Sequence, residues 1–204
     1  MVEIQNIIFD FGGVIINIDY HRTVQAFKDL GFINFEEQYS KLKQSNLFDE
    51  FEKGLITPEE FRNRIRETSQ KNLSDEQIDA AWNAILIDLP KLNIEFLQSI
   101  KSKYKIFLLS NTNQIHEWEF NRMILEQFGT DVLKETFNKV YLSHHLKMRK
   151  PDAEIFEYVL NENKLDPTET LFIDDSPQHI EGGKKAGLRT FYFEKHHSLA
   201  DVLK

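Results

Sequence analysis

The stretch Ile4-Gln5-Asn6-Ile7-Ile8-Phe9-Asp10-Phe11-Gly12-Gly13-Val14 decides the fold. Ile4–Phe9 is an apolar run of strand length, and Asp10 followed by Gly12-Gly13 closes it. Such a run, ending in a tight glycine loop, reads as a buried parallel strand with its polar residue where the strand stops.

Four more strand-sized runs follow far downstream: Lys105–Leu109, Lys139–Leu142, Thr170–Ile173 and Arg189–Phe193. Helix candidates alternate with them, from about Gln114 to Gln127, Pro151 to Asn163 and Pro177 to Ala186. The last opens on Ser176-Pro177 and closes on Gly187. This alternation predicts an α/β fold, an open Rossmann-like parallel sheet with helices on both faces.

Between the first run and the second, from Asp19 to about Ser102, the periodicity is helical. Thr57-Pro58-Glu59-Glu60 is a capping box with proline at the first helical position, and Phe61 and Ile65 follow on one face. Ser74-Asp75-Glu76-Gln77 repeats the box, Leu73 is placed to staple to Ile78, and Ile78, Trp82 and Ile85 form an apolar stripe. No strand is expected in this block. The division that follows is a core from residues 1–15 and 88–204 with an all-helical cap, residues 16–87, inserted after the first strand.

Composition narrows the function. The 204 residues are 41% hydrophobic, with seventeen phenylalanines, enough for a substantial core. Lys+Arg of 25 against Asp+Glu of 33 gives a net charge of −8, with no basic stripe or arm, so neither nucleic acid nor an anionic membrane is an expected partner. The absence of cysteine excludes disulfides, thiolate catalysis and zinc–thiolate sites. Met1–Asn6 lacks a charged leader before an apolar stretch, and Ile7–Ile18 is interrupted by Asp10, Gly12, Gly13 and Asn17. The expectation is a cytoplasmic protein, a monomer or weak homodimer, acting on a small molecule.

In open parallel sheets the reactive groups gather beyond the carboxyl ends of the strands. Asp10 ends the first strand, Ser110-Asn111 the second and Asp174-Asp175 the fourth, and Lys150 follows the third just before Pro151. These are the groups that phosphoryl transfer to an aspartate requires. A carboxylate attacking a phosphate dianion needs positive charge at the site, which a lysine and Mg²⁺ would supply. Asp10 and Asp175 are candidate Mg²⁺ ligands, with the Gly12 carbonyl a third. Ser110, the amides around Asn111 and Lys150 are candidates for holding phosphate oxygens, and Asp174 for pairing with Lys150.

Asp10-Phe11-Gly12-Gly13-Val14, Leu108–Asn113, Arg149-Lys150-Pro151-Asp152 and Phe172–Ser176 resemble, in order, the four motifs of the haloacid dehalogenase superfamily of hydrolases. The resemblance covers the whole chain. From Asp10 to Ser110 is 100 residues, from Ser110 to Lys150 40 and from Lys150 to Asp175 25, and the long first interval is where that family inserts its helical cap. Leu109–His116, Tyr141–Phe156 and Asp174–Gly182 look like the bacterial sugar-phosphatase branch that includes the α-D-glucose-1-phosphate phosphatase. The resemblance implies a Mg²⁺-dependent phosphatase working through an aspartyl-phosphate on Asp10, with a hexose 1-phosphate as the expected type of substrate.

One position departs from the common pattern. Most phosphatases of the superfamily have a second aspartate two residues after the nucleophile, as acid on the leaving group and base on the hydrolytic water; here it is Gly12. That loss favours a leaving oxygen needing little acid assistance, such as an anomeric hydroxyl or an acyl group, over simple alkyl phosphates. Asp19, His116 or a metal-bound water are candidate replacements, although Asp19 reads first as a helix N-cap. His116, His144, His145 and His179 lie on separate segments without ligand spacing and read as core or surface residues, not metal ligands. Phe48, Phe51 and Glu52-Lys53-Gly54 read as an aromatic cluster with a glycine turn, in the part of a cap where a specificity loop would lie.

Three rivals stay open. A dehalogenase would attack carbon from Asp10 and need no metal, leaving Asp174-Asp175 without purpose. A phosphorylated receiver domain uses similar residues, but places its acidic pair on the first strand. A binding-only relative is made thinkable by Gly12.

Overall fold

The computed structural model describes residues 3–32 and 46–203. Five parallel strands form one sheet in the order β5-β4-β1-β6-β7, with β1 (Asn6–Phe9) at its centre, flanked by β4 (Lys105–Ser110) and β6 (Thr170–Asp174) and edged by β5 (Lys139–Leu142) and β7 (Arg189–Tyr192). All four residues of β1 are buried, as a central strand covered on both faces must be.

Successive side chains alternate between two cores. Ile7, Phe9, Ile106, Leu108 and Ile173 face one apolar cluster, and Ile8, Phe107, Leu109 and Phe172 face the other. The first is closed by Ile94 and Leu97 of α5 (Lys91–Ile100), Phe120 and Ile124 of α6 (Gln114–Phe128) and α7 (Val132–Thr136). The second is closed by Ile155, Phe156 and Val159 of α9 (Ala153–Asn163) and Ile180 of α10 (Pro177–Lys185). No helix among the described residues is long and apolar enough to cross a membrane.

A third apolar cluster belongs to the helices between β1 and β4: α1 (Tyr20–Asp29), α2 (Leu47–Glu52), α3 (Pro58–Ser69) and α4 (Asp75–Asn83). Both capping boxes close reciprocally. Glu60 N–H donates to Thr57 Oγ1 (3.2 Å) while Thr57 N–H donates to Glu60 Oε2 (2.7 Å), and Ser74 and Gln77 repeat the exchange at 3.2 and 2.9 Å. Phe61, Ile65, Leu73, Ile78 and Trp82 are buried in this cluster, whereas Ile85 lies past the end of α4 and lines a cavity. Residues 33–45 of the expected cap lie outside the described residues.

The block is not wholly helical. β2 (Asn17–Ile18) and β3 (Leu86–Asp88) pair antiparallel where the chain leaves the sheet and returns to it, and Asn17 Nδ2 donates to Asp88 Oδ1 (3.0 Å). Two or three residues are too few for a periodicity, so only the pairing reveals the ribbon.

Candidate active site

Parallel register brings the acidic residues together. Phe9 lies level with Ile173, and Asp10 N–H donates to the Ile173 carbonyl (2.9 Å), so Asp10 stands beside Asp174 at the carboxyl end of the sheet, with Asp175 one residue further. Lys150 arrives from the loop before α9, with Pro151 and Asp152 between it and the helix, and not at its first turn. Its Nζ lies 2.7 Å from Asp10 Oδ1 and 2.7 Å from Asp174 Oδ2, with no exposed surface. Asp174 is equally enclosed, and its Oδ1 also accepts the Ser176 N–H (2.8 Å) and lies 3.0 Å from His179 Nδ1.

Burial sets the titration of this group. It pushes the Asp10 carboxyl well above the usual range, against the pull of Lys150 and with the repulsion of Asp174 and Asp175 added. Burial and then Asp174 raise Asp175 to about 6. Burial opposes charge on both Asp174 and Lys150, but Lys150 and His179 together lower the Asp174 carboxyl, and Asp10 and Asp174 together raise the Lys150 ammonium. Oxygens of Asp10, Asp174 and Asp175 all lie within 4.8 Å of one another, and Lys150 balances one of the three charges. Two negative charges on clustered hard oxygens suit a divalent cation of the Mg²⁺ type.

The glycines at this loop serve different needs. Gly13 has φ +75°, and a Cβ there would stand 2.2 Å from Asp175 Oδ2, so glycine is demanded by conformation and by space. At Gly12 a Cβ would meet Ile18 Cδ1 at 3.2 Å, so β2 crowds the position where a longer side chain would rise.

Asn111 departs from the expectation that its side chain holds phosphate. Its Oδ1 accepts the Lys150 N–H (2.9 Å) and its Nδ2 donates to the Lys150 carbonyl (2.8 Å). A buried backbone beside β4 needs partners, and the carboxamide supplies both. Asn111 thus positions Lys150. Ser110 lies buried at the end of β4 and lines the cavity, with only a 3.5 Å approach from its Oγ to the Asn111 carbonyl.

Above these groups is a cavity of about 420 Å³ whose floor includes Asp10, Gly12, Ser110 and Asp175. Its roof comes from the helices: Phe48 stacks on Trp82 (5.3 Å between centroids, 10°), and Trp82 stacks on His116 (5.1 Å, 6°). His116 lies 2.8 Å from Asn83 Oδ1 through Nδ1, and burial lowers its pKa to about 3, so it is neutral and a poor proton donor at neutral pH. Asp19 is withdrawn from the cavity lining; its Oδ1 accepts the His21 N–H (2.9 Å) as the N-cap of α1.

Sequence reasoning placed Glu52 where a specificity loop would lie but read it as part of a packing cluster, and missed Arg149 as a cavity residue. Phe51 is packed on Phe61, but Glu52 turns to the cavity, where burial raises its pKa and Arg149 Nη2, 2.9 Å away, opposes the rise. Lys53 pairs instead with Asp152 (3.0 Å). Gly54, at φ +57°, passes so close to α8 (Ser143–Leu146) that a Cβ would be 2.4 Å from the His144 carbonyl. Nothing local in the sequence announces these cross-chain contacts. His179 was read only as a core or surface residue, although a helix starting at Pro177 returns its third residue toward the strand end, where Asp174 waits.

The family pattern described as a haloacid dehalogenase-like hydrolase matches residues 4–187. The D-ribitol-5-phosphate phosphatase of Bacteroides thetaiotaomicron is 34% identical over 191 residues, spanning 92% of this chain and 91% of that protein. A HAD family enzyme from the same organism, crystallised with magnesium and inorganic phosphate, superposes with TM-score 0.87 at 40% identity, covering 98% of this chain and 100% of that one. A predicted HAD-like family hydrolase of Porphyromonas gingivalis superposes with TM-score 0.85 at 29% identity, over 98% of this chain and 96% of the other. With sheet order, site and sequence in agreement, the chain belongs to the haloacid dehalogenase-like hydrolase family.

Proposed function

We propose that the protein is a Mg²⁺-dependent phosphatase of small phosphorylated carbohydrates, in which Asp10 accepts the phosphoryl group. The observation that carries this reading is the buried triad of Lys150 Nζ at 2.7 Å from both Asp10 and Asp174, of which Asp10 lines the cavity beneath the helices. The magnesium and phosphate complex of the Bacteroides enzyme supports the same chemistry. Residues 16–87 serve as the cap over a core of 1–15 and 88–204.

Asp10, Asp175 and the Gly12 carbonyl would hold Mg²⁺, which supplies charge neutralisation for the phosphate and the carboxylate that approach each other. Asp10 must react as the carboxylate, and the ammonium of Lys150 favours that form despite burial. An Asp10 oxygen forms a bond to phosphorus as the bond to the leaving oxygen breaks, and the leaving oxygen takes a proton from water in the cavity to depart as the alcohol. Water then attacks the aspartyl-phosphate, returning free Asp10 and inorganic phosphate. Ser110 Oγ donates to a phosphate oxygen, while Asn111 keeps Lys150 in place and Asp174 keeps it charged.

Gly12 favours a hexose 1-phosphate, whose anomeric oxygen leaves with little help. A second reading, an alditol phosphate, is favoured by the name of the Bacteroides relative. A phosphate-release panel of hexose 1-phosphates, D-ribitol 5-phosphate and an aryl phosphate, run with Mg²⁺ and with EDTA, separates them. Asp10→Asn is expected to lose about 10³-fold or more on every substrate. Turnover that survives Asp10→Asn, or metal-independent halide release from 2-haloacids, refutes the phosphatase reading.

A further inference from the structure

Outside the cavity, the first turns of α6 and the short helix α8 bring together side chains that lie far apart in sequence. Glu117 Oε2 is 3.0 Å from His144 Nε2 and 3.0 Å from His145 Nε2, and the ligating atoms of the three residues lie within 4.8 Å of one another. Gln114 Nε2 donates to the same Glu117 oxygen (2.9 Å), which fixes the carboxylate's direction. His144 is enclosed, with 4% of its side chain exposed, whereas His145 has 53% exposed. The cluster therefore has a solid floor and an open side, facing a groove of about 400 Å³ that Glu117 and His145 help to line.

We propose that Glu117, His144 and His145 form a second metal site, for a zinc-like divalent ion. Two imidazole nitrogens and one carboxylate oxygen suit borderline transition ions, whereas Mg²⁺ selects oxygen ligands, so this site and the aspartate cluster sort the two metals by donor type. Three protein ligands leave a coordination position open on the His145 side, where solvent reaches. The carboxylate already draws both Nε2 atoms to one point, so an ion there replaces hydrogen bonds and needs no change of fold.

His144 Nδ1 limits the affinity. It is buried without a hydrogen-bond partner. Nε2 is the atom that faces Glu117, so ligation through it would leave the ring's proton on Nδ1, where no acceptor waits. Histidine ligands that lack such an outer partner bind about 10–100-fold less tightly, which sets the expectation at micromolar affinity. A second His/Glu cluster, Glu194, His196 and His197, is a weaker candidate, because His197 Nδ1 already accepts the Glu194 N–H (3.0 Å).

The test is calorimetric titration with Zn²⁺ at pH 7.5 in saturating Mg²⁺, using Asp10→Asn as the background so that the aspartate cluster does not compete. One zinc per chain is expected. His145→Gln, at an exposed position, should weaken it by about 10-fold or more with an unchanged thermal melt, and Glu117→Gln should do likewise. His197→Gln should change nothing. The proposal is overturned if no zinc binds below about 100 μM, if His145→Gln binds it as well as the parent, or if the site is lost with His197→Gln. Zinc bound while phosphatase activity proves absent leaves this inference standing and removes only the functional reading above.

Discussion

The floor of the cavity is charged, with Asp10 and Asp175 lining it and Lys150 buried beneath between Asp10 and Asp174, whereas its roof is built of rings, Phe48 on Trp82 and Trp82 on His116. The floor stands on the ends of hydrogen-bonded parallel strands, so each charge has a fixed place and few alternatives. The roof rings stand on α2, α4 and the start of α6, and the helices before β4 reach the core through contacts such as Lys53–Asp152, Arg149–Glu52 and the Ser143 hydroxyl, which accepts the Thr112 N–H (2.9 Å) and donates to the Glu52 carbonyl (2.6 Å). One part is made to hold charge out of water, and the other to enclose a substrate. The first is costly to break and the second cheap to adjust.

The sharpest way to break this contrast is Lys150→Met. It leaves Asp10 and Asp174 buried without their shared counter-charge, and a loss of about 3–5 kcal/mol in urea unfolding is expected, together with loss of turnover. A variant as stable as the parent would show that the ion triad carries no structural weight.

Gly13→Ala probes the floor more locally. The positive φ costs about 1–2 kcal/mol for a residue with a Cβ, and the methyl would displace the Asp175 carboxylate. Mg²⁺ affinity, read from the metal dependence of phosphate release, should fall by about 10-fold or more.

His116 sharpens the picture of the roof. Its pKa is about 3 in the fold against 6.5 in the unfolded chain, so between those values the unfolded state binds the extra proton. Its contribution is complete above pH 6.5 and is lost as pH falls toward 3. Although burial dominates the shift, part of the ring opens on the cavity, so the contribution is at most about 4 kcal/mol and less where cavity water reaches it. Stability measured from pH 4 to 7 should rise less steeply in His116→Gln than in the parent, and parallel curves would deny the neutral imidazole that role.

The smallest effect is expected at Lys53→Ala. The pair with Asp152 is about a third exposed on one side and half on the other, and should contribute less than about 1 kcal/mol. Thermal melts at low and high salt should barely separate the variant from the parent.

The three central strands were readable because their apolar runs are buried on both faces, and the two capped helices because their boxes satisfy backbone donors within four residues. Asp10, Ser110, Lys150 and Asp174-Asp175 were legible for a related reason: each ends or follows a strand, so the topology alone sends it to one edge. The β2–β3 ribbon, the turn of Asn111 onto the Lys150 backbone, the place of Glu52 and Arg149 in the cavity and the meeting of Glu117 with His144 and His145 were not legible. Local physics determined the elements and the order in which their polar ends would line up. Only the tertiary structure decided which side chain faces which, because contacts between residues 27 to 100 positions apart depend on how helices settle on the sheet, and no periodicity records that.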